Sequence, residues 1–145
     1  MKKDLSHLNI QAFTWQQAEP ALRKIRTDVF LIEQAVPLRI EWDAFDATAT
    51  HLLATVDGDA IGCARLIDNR IGRMAVQKNW RGFGVGRAIL DFAMQTLSKN
   101  GEKIAILSSQ THAIGFYLQA GFIVTSAVYQ DANIPHVDMQ RILEK

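Results

Sequence analysis

The stretch Ile71-Gly72-Arg73-Met74-Ala75-Val76, followed after four residues by Arg81-Gly82-Phe83-Gly84-Val85-Gly86-Arg87, decides how the rest of the chain is read. It predicts a strand, a turn and a glycine-rich entry into an amphipathic helix over residues 88–98. Gly82, Gly84 and Gly86 alternate, so the backbone can bend tightly and bring its N–H groups close to a ligand with no Cβ in the way. The helix adds orphan N–H donors and the positive end of its dipole. Arg81 and Arg87 add fixed positive charge, and the whole is an anion cradle suited to the pyrophosphate of a nucleotide-type cofactor.

Two phosphate-binding motifs do not fit this loop. A nucleotide triphosphatase loop needs Gly-x-x-x-x-Gly-Lys-Ser/Thr, and no such Lys-Ser or Lys-Thr is present to serve magnesium and the terminal phosphate. A dinucleotide fingerprint needs Gly-x-Gly-x-x-Gly and an acid at the end of the next strand, about 20 residues on. Here the spacing is Gly-x-Gly-x-Gly, and Glu102 opens the next strand while Ser108 and Ser109 close it.

Working outward, Asn100-Gly101 stops the helix, a strand covers 104–109, and a short helical segment runs from Gln110 to Phe122. Upstream, residues 10–15 alternate like a first strand. Thr14 and Gln17 have capping-box spacing, Pro20 suits a first helical turn, and Leu22, Ile25 and Val29 form one apolar helix face. Residues 34–50, polar and irregular with Glu41, Asp43 and Asp46, are the longest expected loop. Strands over 51–56, 60–67 and 71–76, joined at Asp57-Gly58 and Asp68-Asn69, predict an antiparallel meander. Two last strands, 123–129 and 136–142, flank a turn at 131–135. Strands first, then alternating strand and helix, predict an α+β sandwich around a mostly antiparallel sheet.

Arg81-x-x-Gly84-x-Gly86 after a hydrophobic strand resembles the pyrophosphate-binding motif of the GNAT superfamily, the acyl-CoA-dependent N-acetyltransferases. The segment Gln110-Thr111-His112-Ala113-Ile114-Gly115-Phe116-Tyr117-Leu118-Gln119-Ala120-Gly121-Phe122 resembles the second GNAT motif, a short helix with a tyrosine closed by Gly-Phe. Val29-Phe30-x-x-Glu33-Gln34-x-x-Pro37, Thr50-His51-Leu52-Leu53 and Pro135-His136-Val137-Asp138-Met139 are similar to segments of the small bacterial ElaA/YjcF-like branch. The resemblance spans roughly residues 29–139. It implies the GNAT fold: a mostly antiparallel mixed sheet splayed between strands four and five, with helices on both faces. It also implies acetyl-CoA as acyl donor, a primary amine of a small metabolite as acceptor, and direct attack in a ternary complex without a metal. A non-catalytic acyl-CoA sensor and a protein N-acetyltransferase are the alternatives.

By the same resemblance the backbone of Met74, Ala75 and Val76 pairs with the pantetheine arm, and one N–H there faces the thioester oxygen. The residues from Arg81 through Gly82, Phe83, Gly84 and Val85 to Gly86 and Arg87 hold the pyrophosphate, with Phe116 beside them. Gln110 stands where many relatives carry an asparagine for the pantetheine arm. Tyr117 matches the family's general acid, its phenol near pKa 10 roughly matched to a thiol near 8.5; the plainer reading is a core tyrosine. The expected fourth strand carries no carboxylate, so the base comes from Glu33, Asp46, His51 or His136, or from a water chain. Arg65 and Arg73 on neighbouring strands either face an acceptor bearing a carboxylate or phosphate, or pair with Glu41, Asp43 or Asp46.

Composition narrows the setting. The 145 residues suit one domain, 1–145, with ordinary globular content at 48% hydrophobic and 21% charged. Sixteen basic against fifteen acidic residues leave a formal net charge of +1, which argues against nucleic acid or an anionic membrane as partner. No apolar run approaches the ~20 residues of a membrane span, and the N-terminal residues do not read as a secretory signal. One cysteine, Cys63, allows no internal disulfide and reads as a small core residue; no Cys/His cluster has zinc spacing. The expected location is the cytoplasm. Dimers are common in the superfamily, so a homodimer is allowed, with no interface legible in the sequence.

Overall fold

The computed structural model describes residues 3–143. In chain order the elements are β1 (Leu8–Phe13), α1 (Trp15–Arg26), α2 (Leu38–Glu41), β2 (Thr50–Val56), β3 (Asp59–Ile67), β4 (Arg70–Val76), α3 (Val85–Lys99), β5 (Ile104–Gln110), α4 (Ile114–Gln119), β6 (Ile123–Val124), β7 (Tyr129–Asp131) and β8 (Ile134–Ile142). The strands form one sheet in the order β1-β2-β3-β4-β5-β8-β6, with β7 paired to β8. Every pairing is antiparallel except β4 with β5, which is parallel. This is the mixed sheet expected, and helices cover both of its faces.

Period-2 alternation explains the two layers. On β2, Leu52, Ala54 and Val56 pack with Ile89, Leu90, Ala93 and Leu97 of α3, while Leu53 between them packs with Leu22 and Ile25 of α1. Because both faces are covered, β2 and β3 read as nearly continuous apolar runs. Cys63 of β3 sits in the α1 layer as a core residue, and burial pushes its thiol up to about 12.

Several boundaries move from their expected places for local reasons. β1 ends at Phe13, because Thr14 caps α1: its Oγ accepts from the Gln17 amide at 3.3 Å and its own N–H donates to Gln17 Oε1 at 2.8 Å. Pro20 therefore falls in the second turn, not the first, leaving the exposed Gln16 carbonyl to solvent. α3 starts at Val85, a turn earlier than expected, since Gly84 with φ +92° reverses the chain into it. The expected loop 34–50 contains α2 and a 3-10 turn, Ala44–Ala47. The expected strand 123–129 is two short ones, β6 and β7. β8 begins at Ile134 because Ala132 and Asn133, both with positive φ, make a two-residue hairpin. Thr27–Glu33 continues α1 as a π-helix.

One irregularity shapes the rest. Cys63 pairs with Ala75 and Arg65 with Gly72, so Arg73 and Met74 together stand opposite Ala64 in a β-bulge. Arg73 takes the left-handed conformation, φ +47°, which costs a non-glycine residue about 1–2 kcal/mol. Its side chain holds that turn by donating to the Ile40 and Glu41 carbonyls at 3.2 and 3.1 Å and to Asp43 at 3.2 Å. Among the described residues, β4 and β5 pair only at Arg70 with Ile106 and Ile71 with Leu107. Past the bulge the strands part, and the second half of β4 has no β5 partner.

Candidate active site

The parting of β4 from β5 opens two connected hollows. A cleft of about 420 Å³ is lined by Phe30, Arg65, Gly72, Arg73, Tyr117 and His136, among others. A channel of about 550 Å³ runs along Met74, Ala75 and Val76 toward Glu33 and Arg81. Gln34, Met74, Gln110, His112 and Ile134 border both. The channel thus joins the end of β4 to the glycine loop, and the cleft lies beyond it.

At the loop, Gly82 and Gly84 have φ of +82° and +92°, and nothing lies within 4 Å of where a Cβ on either would sit. The backbone is strained for any L side chain, yet the space in front is open, as an anion cradle requires. A Cβ on Gly86 would meet Phe116 at 3.5 Å, an ordinary contact. Arg81 donates to both Glu33 oxygens at 2.5 and 2.7 Å and to the Val76 carbonyl at 2.9 Å. The bidentate pair holds the Glu33 carboxyl below its usual range. Glu33 therefore lies at the channel, as a weakly basic carboxylate, and not in the cleft. Arg87 pairs with Asp91 at 3.0 Å.

Tyr117 lines the cleft with its hydroxyl 3.8 Å from Met74 Sδ and its ring edge-on to Phe116 and Phe122. Burial pushes its phenol up to about 12, so it stays protonated at neutral pH and is a weaker acid than the free phenol near 10 on which the expected match to a thiol rested. Gln110 exchanges hydrogen bonds with Gln34 at 2.8 and 3.5 Å, linking β5 to the chain after the π-helix.

The two histidines separate cleanly. His51 is 1% exposed, its Nε2 donates to the Asp46 carbonyl at 2.9 Å, its ring lies against Trp15, and it borders neither hollow. Burial lowers its pKa, so it is a neutral core residue. His136 lines the cleft. Its Nδ1 donates to the Ile134 carbonyl at 2.7 Å, since a carbonyl can only accept; in the neutral ring this puts the lone pair on Nε2, which has no hydrogen-bond partner among the described residues.

Asp46 is likewise withdrawn from the site into a buried charge cluster. Arg26, 1% exposed, donates to Glu41 at 2.6 Å, to Asp46 at 2.8 and 3.2 Å, and to the Glu41 carbonyl at 2.8 Å. Arg65 donates to Asp43 at 2.7 Å and Asp46 at 3.0 Å. Arg65 and Arg73 pair with the acidic loop, as one of the two expectations had it, and each also lines the cleft. Trp15 and Trp42 stack on the Arg26 guanidinium. Arg26 escaped the sequence reading, although an arginine four residues after Leu22 interrupts the apolar face of α1 and signals a buried charge needing acids. Gln34 and Asp138 stood in the quoted motifs without a role; Arg70 and Tyr129, which donates to Asp138 at 2.7 Å and bonds Ser108 at the cleft wall, were missed, and no local pattern marks them.

Residues 10–143 match the Acetyltransferase (GNAT) domain family. Protein ElaA of Escherichia coli is 30% identical over 130 residues, covering 83% of this chain and 85% of its own. Its crystal structure superposes with a TM-score of 0.83 at 28% identity, over 92% of this chain and 99% of that one. An acyl-CoA N-acyltransferase from Pseudomonas aeruginosa gives 0.84 at 30% identity, again over 92% and 99%. An acetyltransferase structure from Bacillus anthracis, solved with acetyl coenzyme A, is similar in fold at 0.58 and 18% identity, over 66% of this chain and 63% of that one.

Proposed function

The chain belongs to the GNAT acetyltransferase family, and from that premise we propose that it moves an acetyl group from acetyl-CoA to a primary amine of a small metabolite, by direct attack within a ternary complex. The observation that carries the reading is the parting of β4 from β5 at the Arg73 bulge, which leaves one strand edge free between a glycine cradle and a second cleft.

The residues fit the donor on two counts: the Met74–Val76 edge lacks a strand partner, and the cradle is open in front of Gly82 and Gly84. Acetyl-CoA supplies an activated thioester carbonyl when bound. Backbone N–H groups after the bulge are fixed donors for charge developing on an acyl oxygen, a contribution often worth about 3–4 kcal/mol. The free Nε2 of His136 accepts the proton that the amine must lose. Tyr117, lining the cleft beside Met74 with its phenol protonated, donates a proton to the leaving sulfur. Holding both reactants side by side removes much of the entropic barrier. A cleft of about 420 Å³ is suited to a small molecule. His51 and Glu33 support this arrangement as a packing residue and as the partner of Arg81.

Thermal-shift titration with acetyl-CoA, ATP and NAD side by side, then an amine screen for thiol release, tests the proposal. Stabilisation by acetyl-CoA alone with thiol release from small amines is expected; a ligand at 100 times its Kd adds about 2.7 kcal/mol. Stronger stabilisation by NAD or ATP sinks the cradle assignment. Binding of acetyl-CoA with no turnover of any amine replaces the enzyme by a sensor.

A further inference from the structure

The cleft next to Tyr117 and His136 has a pronounced cationic side that the acyl-transfer chemistry leaves unused. Arg65, Arg70 and Arg73 line it, against the carboxylates of Glu41 and Asp131. Glu41 is already held by Arg26 at 2.6 Å. Pairing with the acidic loop does not exhaust these guanidiniums. Arg65 spends only Nη1, on Asp43 and Asp46, while its Nε and Nη2 have no acceptor among the described residues. Nε and Nη2 form the side-on edge of the guanidinium, the planar fork that fits a carboxylate with two parallel hydrogen bonds. Arg73 gives Nη2 three acceptors and its Nε faces Glu41 at 3.2 Å without hydrogen-bond geometry, which leaves Nη1 with no acceptor among the described residues. Burial, with Arg65 and Arg26 close by, lowers the Arg73 pKa despite its ion pairs with Glu41 and Asp43. Arg70 is exposed and unpaired among the described residues.

The floor beside Arg65 is also open. Gly72 stands directly across from Arg65 in the β3–β4 pairing, and a Cβ there would meet nothing within 4 Å. Resting on the acetyl-transfer reading above, we propose that the acceptor is an amine that also carries a carboxylate, bound on the free edge of Arg65 with Arg73 and Arg70 adding charge. Arg65 and Gly72 lie on one side of the Arg73 bulge and Met74 on the other, so a carboxylate on Arg65 and an amine at the Met74 end of the cleft are separated by the bulge. An ω-amino acid, with its charged groups at opposite ends of a methylene chain, suits that separation better than an α-amino acid, whose two groups share one carbon.

Thiol release is measured with 5-aminopentanoate, its carboxamide and the corresponding aminoalkyl phosphonate, with acetyl-CoA binding followed separately by calorimetry. The expected kcat/KM for the carboxylate is about tenfold above that for the carboxamide, carried mainly by KM, because a charge-assisted fork is lost. Arg65→Lys keeps a cation for Asp43 and Asp46 but removes the fork; it brings the ratio close to one at unchanged acetyl-CoA affinity. If that variant fails to fold, Arg70→Gln, on an exposed unpaired side chain, lowers the ratio by about half through charge alone. Equal rates for carboxylate and carboxamide overturn the anion subsite while acetyl transfer stands. A phosphonate preferred over the carboxylate overturns the choice of anion. Bound acetyl-CoA with no turnover of any of the three overturns the assigned acceptor, whereas failure to bind acetyl-CoA removes the reading beneath it.

Discussion

Arg26→Met removes the centre of the buried charge cluster and fills much of the same volume. The guanidinium makes four hydrogen bonds, to Glu41, Asp46 and the Glu41 carbonyl, at 1% exposure. Without it, three carboxylates (Glu41, Asp43 and Asp46) face two cations, Arg65 and Arg73. Breaking one side of a buried pair typically costs about 3–5 kcal/mol. Here the loss belongs at the lower end, since Asp46 keeps Arg65 at 3.0 Å and Glu41 keeps Arg73 at 3.2 Å. About 3 kcal/mol in a chain of this size lowers Tm by roughly 6–12 °C. Glu41 is the carboxyl that burial already pushes upward, so Glu41→Gln in the Arg26→Met background removes the surplus charge. The double variant should recover about 1–2 kcal/mol, read as the coupling energy in a double-mutant cycle by thermal or urea unfolding. A single-variant loss under about 1 kcal/mol, or no recovery in the double variant, refutes the claim that this cluster ties the 34–50 segment to the sheet.

Tyr117→Phe should lower kcat by about 100-fold or more while leaving the acetyl-CoA Kd unchanged, compared by thiol-release kinetics and calorimetry. His136→Gln keeps a polar side chain but loses the free ring nitrogen, and kcat/KM should fall by a similar factor, about 100-fold. Gly84→Ala should destabilise by about 1–2 kcal/mol from its φ of +92° alone, because no neighbour lies within 4 Å; a melting temperature unchanged from the wild type would contradict it. Asp46 has a folded pKa below its unfolded value near 3.8, so its stabilisation is present above that value and lost as pH falls through the folded pKa. Asp46→Asn should therefore weaken the protein at neutral pH and flatten its stability loss below about pH 4, followed by urea midpoints across pH.

The sequence was most legible where structure is decided within a few residues. The capping box at Thr14 and Gln17 and the Asp57-Gly58 hairpin with φ of +50° and +86° appear where their spacing put them, and the glycine entry into α3 lies one turn ahead of its expected start. The apolar faces of α1 and α3 were readable for the same reason: helical periodicity reports which side meets the core. The segment 34–50 misled because its order comes from contacts far along the chain. Glu41, Asp43 and Asp46 are held by arginines 15 to 32 residues away, and without those partners the segment reads as a polar loop.

What the sequence determined by itself was the order of the main strands and helices, the glycine turn at 81–86 leading into α3, and the placing of Tyr117 on a short helix after β5. Tertiary structure alone decided what faces the cleft. His51 and His136 look equivalent as sequence, and only packing buries one against Trp15 while leaving the other with a free Nε2 at the cleft wall. The β-bulge at Arg73 has no sequence signature, since an arginine with positive φ is favoured only by partners on another segment. That one residue parts β4 from β5, because pairing register is a property of two strands and the contacts holding them, not of either strand alone.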